Sequence, residues 1–190
     1  RFGVRGVRRF LGKKKGCLLA TVPKPKIGRT AKEQALLARD LFSAGDGSYE
    51  GIKDDENLTN LYFNKFDKRC RLVHNERKRA EKISARKKFY LCNVTHSNMD
   101  KMVDRANLIK KNGGRFMMVD VVTTGFSAVD SLRRKNLGLA IHAHRAMHGF
   151  VTRDNSEGVH GSGLLEGFSI SMVVMAKLFR LLGVDSIHGG

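Results

Sequence analysis

Phe89-Tyr-Leu-Cys-Asn-Val94, Phe116-Met-Met-Val-Asp-Val-Val122 and Leu137-Gly-Leu-Ala-Ile-His-Ala-His144 are three short runs, apolar almost throughout, separated by segments of helical period. Such runs suit strands buried on both faces, as in a parallel sheet flanked by helices. The first connection has a helix start at Ser97 or Asn98, with Met99, Met102, Val103 and Ala106 facing inward, and a stop at Gly113-Gly114. The second predicts a helix over Ser127–Lys135. Upstream, the alternation gives a strand at Cys17–Val22, a helix from Thr30 to Phe42, and a short strand at Tyr49–Lys53. Thr30 and Glu33 form a capping box at that helix start. A long basic helix follows, with Phe66, Cys70 and Val73 at i, i+4 and i+7. Downstream come a Gly-rich loop at Ser156–Gly167, a helix at Ser169–Leu182 and a strand at Asp185–His188.

Taking Lys24, Lys53, Asn93, Asp120, His144 and His188 as strand ends, the steps between them are 29, 40, 27, 24 and 44 residues. Units of about 30 residues are what a βα repeat requires. About six of them, with no reversal of order, predict an α/β chain built as an incomplete TIM (β/α)8 barrel. An open doubly wound sheet would need a Gly-rich phosphate turn after the first strand, and Lys24-Pro25-Lys26-Ile27-Gly28 is not one.

At 190 residues the chain is one domain, shorter than the roughly 250 residues of a full barrel. Apolar residues at 41% and charged residues at 28% argue for a globular core rather than disorder. No apolar run approaches the roughly 18 residues of a membrane helix, so no membrane partner is expected; the best candidate, Met172 to Phe179, is broken by Lys177. Cys17, Cys70 and Cys92 are odd in number and make no C-x-x-C pair, which points to a reducing, cytoplasmic setting without disulfides or a zinc knuckle. The net charge of +18, from 36 basic and 18 acidic residues, concentrates in the opening stretch and in Lys65–Lys88. A solvated helix face and an exposed end account for it; polyanion binding stays open. A nucleic-acid module ranks low, because no zinc-finger spacing or aromatic stripe accompanies the charge. The opening is Arg-rich and acid-poor like an organelle leader, but runs into the first strand without a polar spacer. Arg1 without a methionine, and a stop at Gly189-Gly190 just after a strand, read as a piece of a longer chain.

Lys24, Lys53, Asp55, Glu56, Asp120, His142, His144 and His188 all fall at or just after the carboxyl ends of strands, which in a barrel converge on one mouth. Side chains alternate along a strand, so Lys53 and Asp55 share a face and Asp54 points away. Two carboxylates and a third oxygen donor suit Mg²⁺. A bare Lys53 ammonium would repel that ion, whereas a lysine carbamylated by CO2 is an anionic oxygen ligand. A surface turn with a local ion pair is the competing reading. His142 and His144 share a face too, and Arg145 offers a fork suited to phosphate. Neutral imidazole can act as a base, while H-x-H is also a transition-metal pair and a core histidine pattern. His74, His96 and His160 receive no role, and Asp120 reads as a structural acceptor before a catalytic group.

Lys24-Pro25-Lys26, Lys53-Asp54-Asp55-Glu56-Asn57, Ile141-His142-Ala143-His144-Arg145-Ala146-Met147-His148 and Ile187-His188, in that order, resemble the large chain of ribulose-1,5-bisphosphate carboxylase/oxygenase (RuBisCO). The resemblance covers essentially the whole chain, and the Lys53 and Phe116 runs are most similar to the archaeal form III branch. It implies that Lys53 is carbamylated by an activator CO2 and binds Mg²⁺ with Asp55 and Glu56. It implies that Lys24 and His144 are acid–base residues, that Lys26 lies beside the substrate, and that Arg145 and His188 hold a phosphate of ribulose 1,5-bisphosphate. The reaction implied is enolisation, attack on CO2, hydration and cleavage to two 3-phosphoglycerates. The resemblance further implies a homodimer or higher homo-oligomer, and places residues 1–190 as strands one to six of the barrel domain. The amino-terminal domain, the mobile loop with its lysine after strand six and the last two βα units lie outside, so these residues alone are expected to be inactive. Pro23, the long Lys24–Lys53 stretch, the Ser156–Gly167 loop and Ser186 depart from the plant pattern. A RuBisCO-like enolase or isomerase is the nearest alternative. A metal-dependent hydrolase fits less well, since its H-x-H lies on the first strand rather than the fifth.

Overall fold

A computed structural model of the chain describes residues 2–45, 48–152 and 169–188. Its strands are β1 (Ala20–Thr21), β2 (Gly51–Lys53), β3 (Phe89–Asn93), β4 (Phe116–Asp120), β5 (Ala140–His144) and β6 (Ser186–Ile187). All neighbours pair in parallel, in the order β1-β2-β3-β4-β5-β6. Sequential order without a switch point is that of a barrel wall, so the sheet is a half-barrel and not a doubly wound sheet. The helices are α1 (Gly3–Leu11), α2 (Ala31–Ser43), α3 (Phe66–Ser84), α4 (Met99–Lys111), α5 (Val121–Thr124), α6 (Phe126–Arg134), α7 (Gly149–Thr152) and α8 (Met172–Leu181). The Gly-rich Ser156–Gly167 stretch falls outside the described residues.

Local signals set the helix starts. The Thr30 hydroxyl accepts from the Glu33 N–H while the Glu33 carboxylate accepts from the Thr30 N–H, the reciprocal capping box. Asn98 caps α4 by accepting from the Asp100 and Lys101 N–H groups.

The period of two then divides the sheet. Tyr90, Cys92, Met117, Val119, Ile141 and Ala143 face the helices and join the main core. Phe89, Leu91, Phe116, Met118 and Ala140 face inward, where Val7 and Leu11 of α1 cover them. Burying such side chains contributes roughly 1.5–3 kcal/mol each. A Cβ on Gly51 would fall 2.0 Å from the Phe89 ring, so the inner layer closes only because β2 carries no side chain there.

Several boundaries differ from the sequence expectation. The opening residues do not lead directly into a strand: Val7 and Leu11, four apart, give α1 an apolar stripe that the sheet's inner face buries. Of Cys17–Val22, only Ala20 and Thr21 pair with β2. The apolar run from Phe116 leaves the sheet at Asp120, and Val121 and Val122 belong to α5 instead. Leu137–Leu139 precede β5, with Gly138 in a left-handed turn at φ +77°.

Candidate active site

The inner face changes character along its strands. At the amino end it is Phe89, Phe116 and Ala140; at the carboxyl end the same parity gives Asn93, Asp120 and His144. The polar end opens into a cavity of about 720 Å³. Lys24, Lys53, Asp55, Glu56, His144, Arg145 and His188 all line it, together with Asp120. Lys26 does not line the cavity, but its ammonium lies 3.1 Å from Glu56 and 3.7 Å from Asp55.

Charge of both signs is interleaved here. Lys24 donates to Asp55, whose other oxygen accepts from the Asn57 N–H. Burial works against the Asp55 carboxylate, but Lys24 and the other donors override it and hold its pKa at about 2. Lys53 is buried, and its ammonium donates to the Asp54 carbonyl at 3.5 Å. Burial lowers its pKa, against the pull of Asp55, Glu56 and Asp120. The neutral amine is the form that reacts with CO2, and a lowered pKa favours it. Asp120 is pushed up to about 6 by burial, and its Oδ1 is buried without a hydrogen-bond partner. Carboxylates that already gather two ammonium groups, with a third oxygen unsatisfied beside them, fit a hard divalent cation such as Mg²⁺.

His144 is held below its ordinary range, at about 3, by burial and then by Lys53. Its Nδ1 accepts from the Ala146 N–H at 2.9 Å, which leaves the ring hydrogen on Nε2, 3.6 Å from Glu56. In this geometry the neutral ring offers a donor to the cavity. His188 stacks on His142 at 5.3 Å and accepts or donates at 3.1 Å through Nδ1. His142 also meets Ser186 at 2.9 Å, so it is a bonded, buried histidine and not a free ligand.

Asp54 does point away from Asp55, as alternation requires. It is fully buried against α3, where Arg69 donates to it through Nε (3.3 Å) and Nη2 (3.2 Å). Tyr90 and the Asn93 N–H also donate to Asp54. Arg69 spends its remaining donors on carbonyls of Leu58, Thr59 and Asn64. One buried guanidinium therefore fixes the loop that carries Asp55 and Glu56. Sequence reasoning missed it, although its place between Phe66 and Val73 on the buried stripe was a signal. It also missed Asn93, whose amide bridges the Glu56 carbonyl and Asp120 at 3.0 Å each; its signal was the shared parity with Asp120 and His144.

Among the described residues, Cys70, His74 and Cys92 also have metal-like spacing, with Cys92 Sγ 3.9 Å from both Cys70 Sγ and His74 Nε2. Arg77 donates to His74 Nδ1 at 3.1 Å, which puts the ring hydrogen on Nε2 and a positive charge beside the cluster. Burial pushes the Cys92 thiol up and His74 down to about 3. This is a buried, packed cluster.

The family description "Ribulose bisphosphate carboxylase large chain, catalytic domain" matches residues 3–190. The chain belongs to that family. A ribulose bisphosphate carboxylase of Pyrococcus furiosus is 42% identical over 191 aligned positions, covering 100% of this chain and 42% of the relative. The octameric RuBisCO of Pyrococcus horikoshii OT3, solved as a complex with sulfate ion, superposes with a TM-score of 0.87 at 41% identity, over 99% of this chain and 41% of that one. A RuBisCO-like protein from Burkholderia fungorum gives 0.84 at 34% identity, over 96% and 41%. The chain thus spans about two-fifths of the RuBisCO relatives it matches.

Proposed function

We propose that this chain contributes the carbamate and magnesium centre of a ribulose-1,5-bisphosphate carboxylase. The observation that carries the reading is the convergence of Lys53 with Asp55, Glu56, Lys24 and His144 on one cavity at the carboxyl end of the sheet. In its neutral form the Lys53 amine attacks the carbon of CO2: a C–N bond forms as one C–O π bond opens onto oxygen, the nitrogen releases one proton, and the neutral side-chain tip becomes an anion. That carbamate, with Asp55 and Glu56, would hold Mg²⁺. When bound, the metal supplies a Lewis acid for negative charge developing on substrate oxygens.

The other residues act on the substrate itself. The Lys24 ammonium, paired with Asp55 and 60% exposed toward the cavity, is placed to give and take a proton. His144 donates through Nε2. Arg145 and His188 offer donors for a phosphate, and Lys26 adds positive charge beside Glu56. The substrate would be ribulose 1,5-bisphosphate with CO2, the product two molecules of 3-phosphoglycerate, and the enzyme a cytoplasmic homo-oligomer.

The test is ¹³CO2 labelling with Mg²⁺, read by ¹³C NMR. A magnesium-dependent carbamate signal is expected, and Lys53→Met should abolish it. A signal unchanged in that variant would end the proposal. Carboxylation by the full-length protein separates a carboxylase from a RuBisCO-like enolase, which would enolise the substrate without fixing CO2.

A further inference from the structure

The amino end of the half-barrel, opposite the candidate active site, holds a second cavity of about 490 Å³. Arg9 of α1, Lys78 of α3, Lys87 of the turn into β3 and Arg115 just before β4 line its rim. All four are exposed, and among the described residues none has a carboxylate partner. The buried Arg77 and Lys88 lie beneath them. Their donors are spent within the protein: Arg77 on His74, the Gly113 carbonyl and Glu81, and Lys88 on Ser48 and the Tyr49 carbonyl. Glu81 is the one acid in the lining, and Arg77 holds it at 2.8 Å.

Six cationic side chains therefore face one committed carboxylate, two of them buried where water screens poorly. Such a field favours a ligand with several closely spaced negative charges, and the arginine forks and lysine points of the rim match phosphate oxygens. The volume suits a small molecule. Among the described residues the rings of the lining are already committed: His74, Phe89, Tyr90 and Phe116 are buried, and Phe10 packs on Phe2 (4.9 Å) and Phe116 (5.9 Å), under the Arg115 guanidinium (5.8 Å). We propose that this pocket binds a short phosphate chain, either inorganic polyphosphate or the chain of a nucleoside polyphosphate, through Arg9, Lys78, Lys87 and Arg115. The inference is independent of the carboxylase reading, since no residue is shared with that site.

Calorimetric titration at about 0.1 M salt tests it with inorganic tripolyphosphate, ATP and AMP. Tripolyphosphate should bind one per chain, and AMP at least about tenfold more weakly. Equal affinity for ATP and tripolyphosphate would assign recognition to the phosphates alone; ATP tighter by about tenfold would make the ligand a nucleoside polyphosphate. The variant K87S/R115S, and separately K78S, should weaken tripolyphosphate binding, the double variant by about tenfold or more. K32S/K68S removes the same charge from exposed lysines elsewhere and should leave binding unchanged. AMP matching tripolyphosphate, equal weakening by the control pair, or full binding by K87S/R115S would each overturn the proposal. So would displacement of tripolyphosphate by single-stranded oligonucleotide at equal phosphate concentration.

Discussion

The two ends of the half-barrel share the same strands, yet they handle charge in opposite ways. At the carboxyl end every candidate lysine lies near acids: Asp55, Glu56, Asp120 and Asp54 all act on Lys53. In the amino-end pocket six cations share the lining with one carboxylate, Glu81, and Glu50 acts on Lys88 from outside it. The excess of +18 is thus not a uniform coat. Interleaved charge suits the carbamate and proton chemistry proposed for the one end, whereas one-signed charge suits the anion capture proposed for the other.

The carboxyl end depends on a buried anchor, and removing it gives the largest expected stability effect. Arg69→Met strands the fully buried Asp54 and should cost about 3–5 kcal/mol in urea unfolding. Adding Asp54→Asn should recover part of that loss; no recovery would mean the guanidinium acts mainly through the loop carbonyls. At the amino end, Gly51→Ala drives a methyl into the Phe89 ring and should cost about 1–3 kcal/mol. A neutral result would show that Phe89 has room to turn.

Acid distinguishes the ends more gently. Burial holds His74 and His144 at about 3 and His188 at about 4, all below the ordinary 6.5. The unfolded chain then takes up protons that the folded one refuses. Their stabilisation is complete above pH 6.5 and declines as pH falls toward those folded values, by at most about 1.4 kcal/mol per histidine per pH unit. Asp120, raised to about 6, has the opposite sign and offsets about one histidine between its unfolded and folded values. Unfolding midpoints that do not drop between pH 6.5 and 4 would contradict this balance.

Much of this was legible beforehand, because strand ends and alternation are local. The step lengths placed Lys53, Asp120 and His144 at the ends of β2, β4 and β5, and parity separated Asp54 from Asp55. What escaped were features that only packing decides. Val121 and Val122 are strand-like in isolation, yet the chain turns into α5 after Asp120. An arginine inside a basic helix looks solvated until its neighbours are known to be buried. The opening Arg-rich stretch gained helical form from a sheet face assembled about a hundred residues later.

Asp185, just before β6, accepts from the Phe2 and Gly3 N–H groups at 2.6 and 2.8 Å, across separations of 183 and 182 residues. It also takes the Ile141 N–H at 2.9 Å and Arg133 at 2.6 Å. During synthesis, then, the Phe2 and Gly3 amides meet their Asp185 acceptor only after the chain has been made as far as the sixth strand. Until that moment the lid over Phe89, Leu91 and Phe116 lacks this tie, and a nascent polypeptide in that condition is a natural client for chaperones.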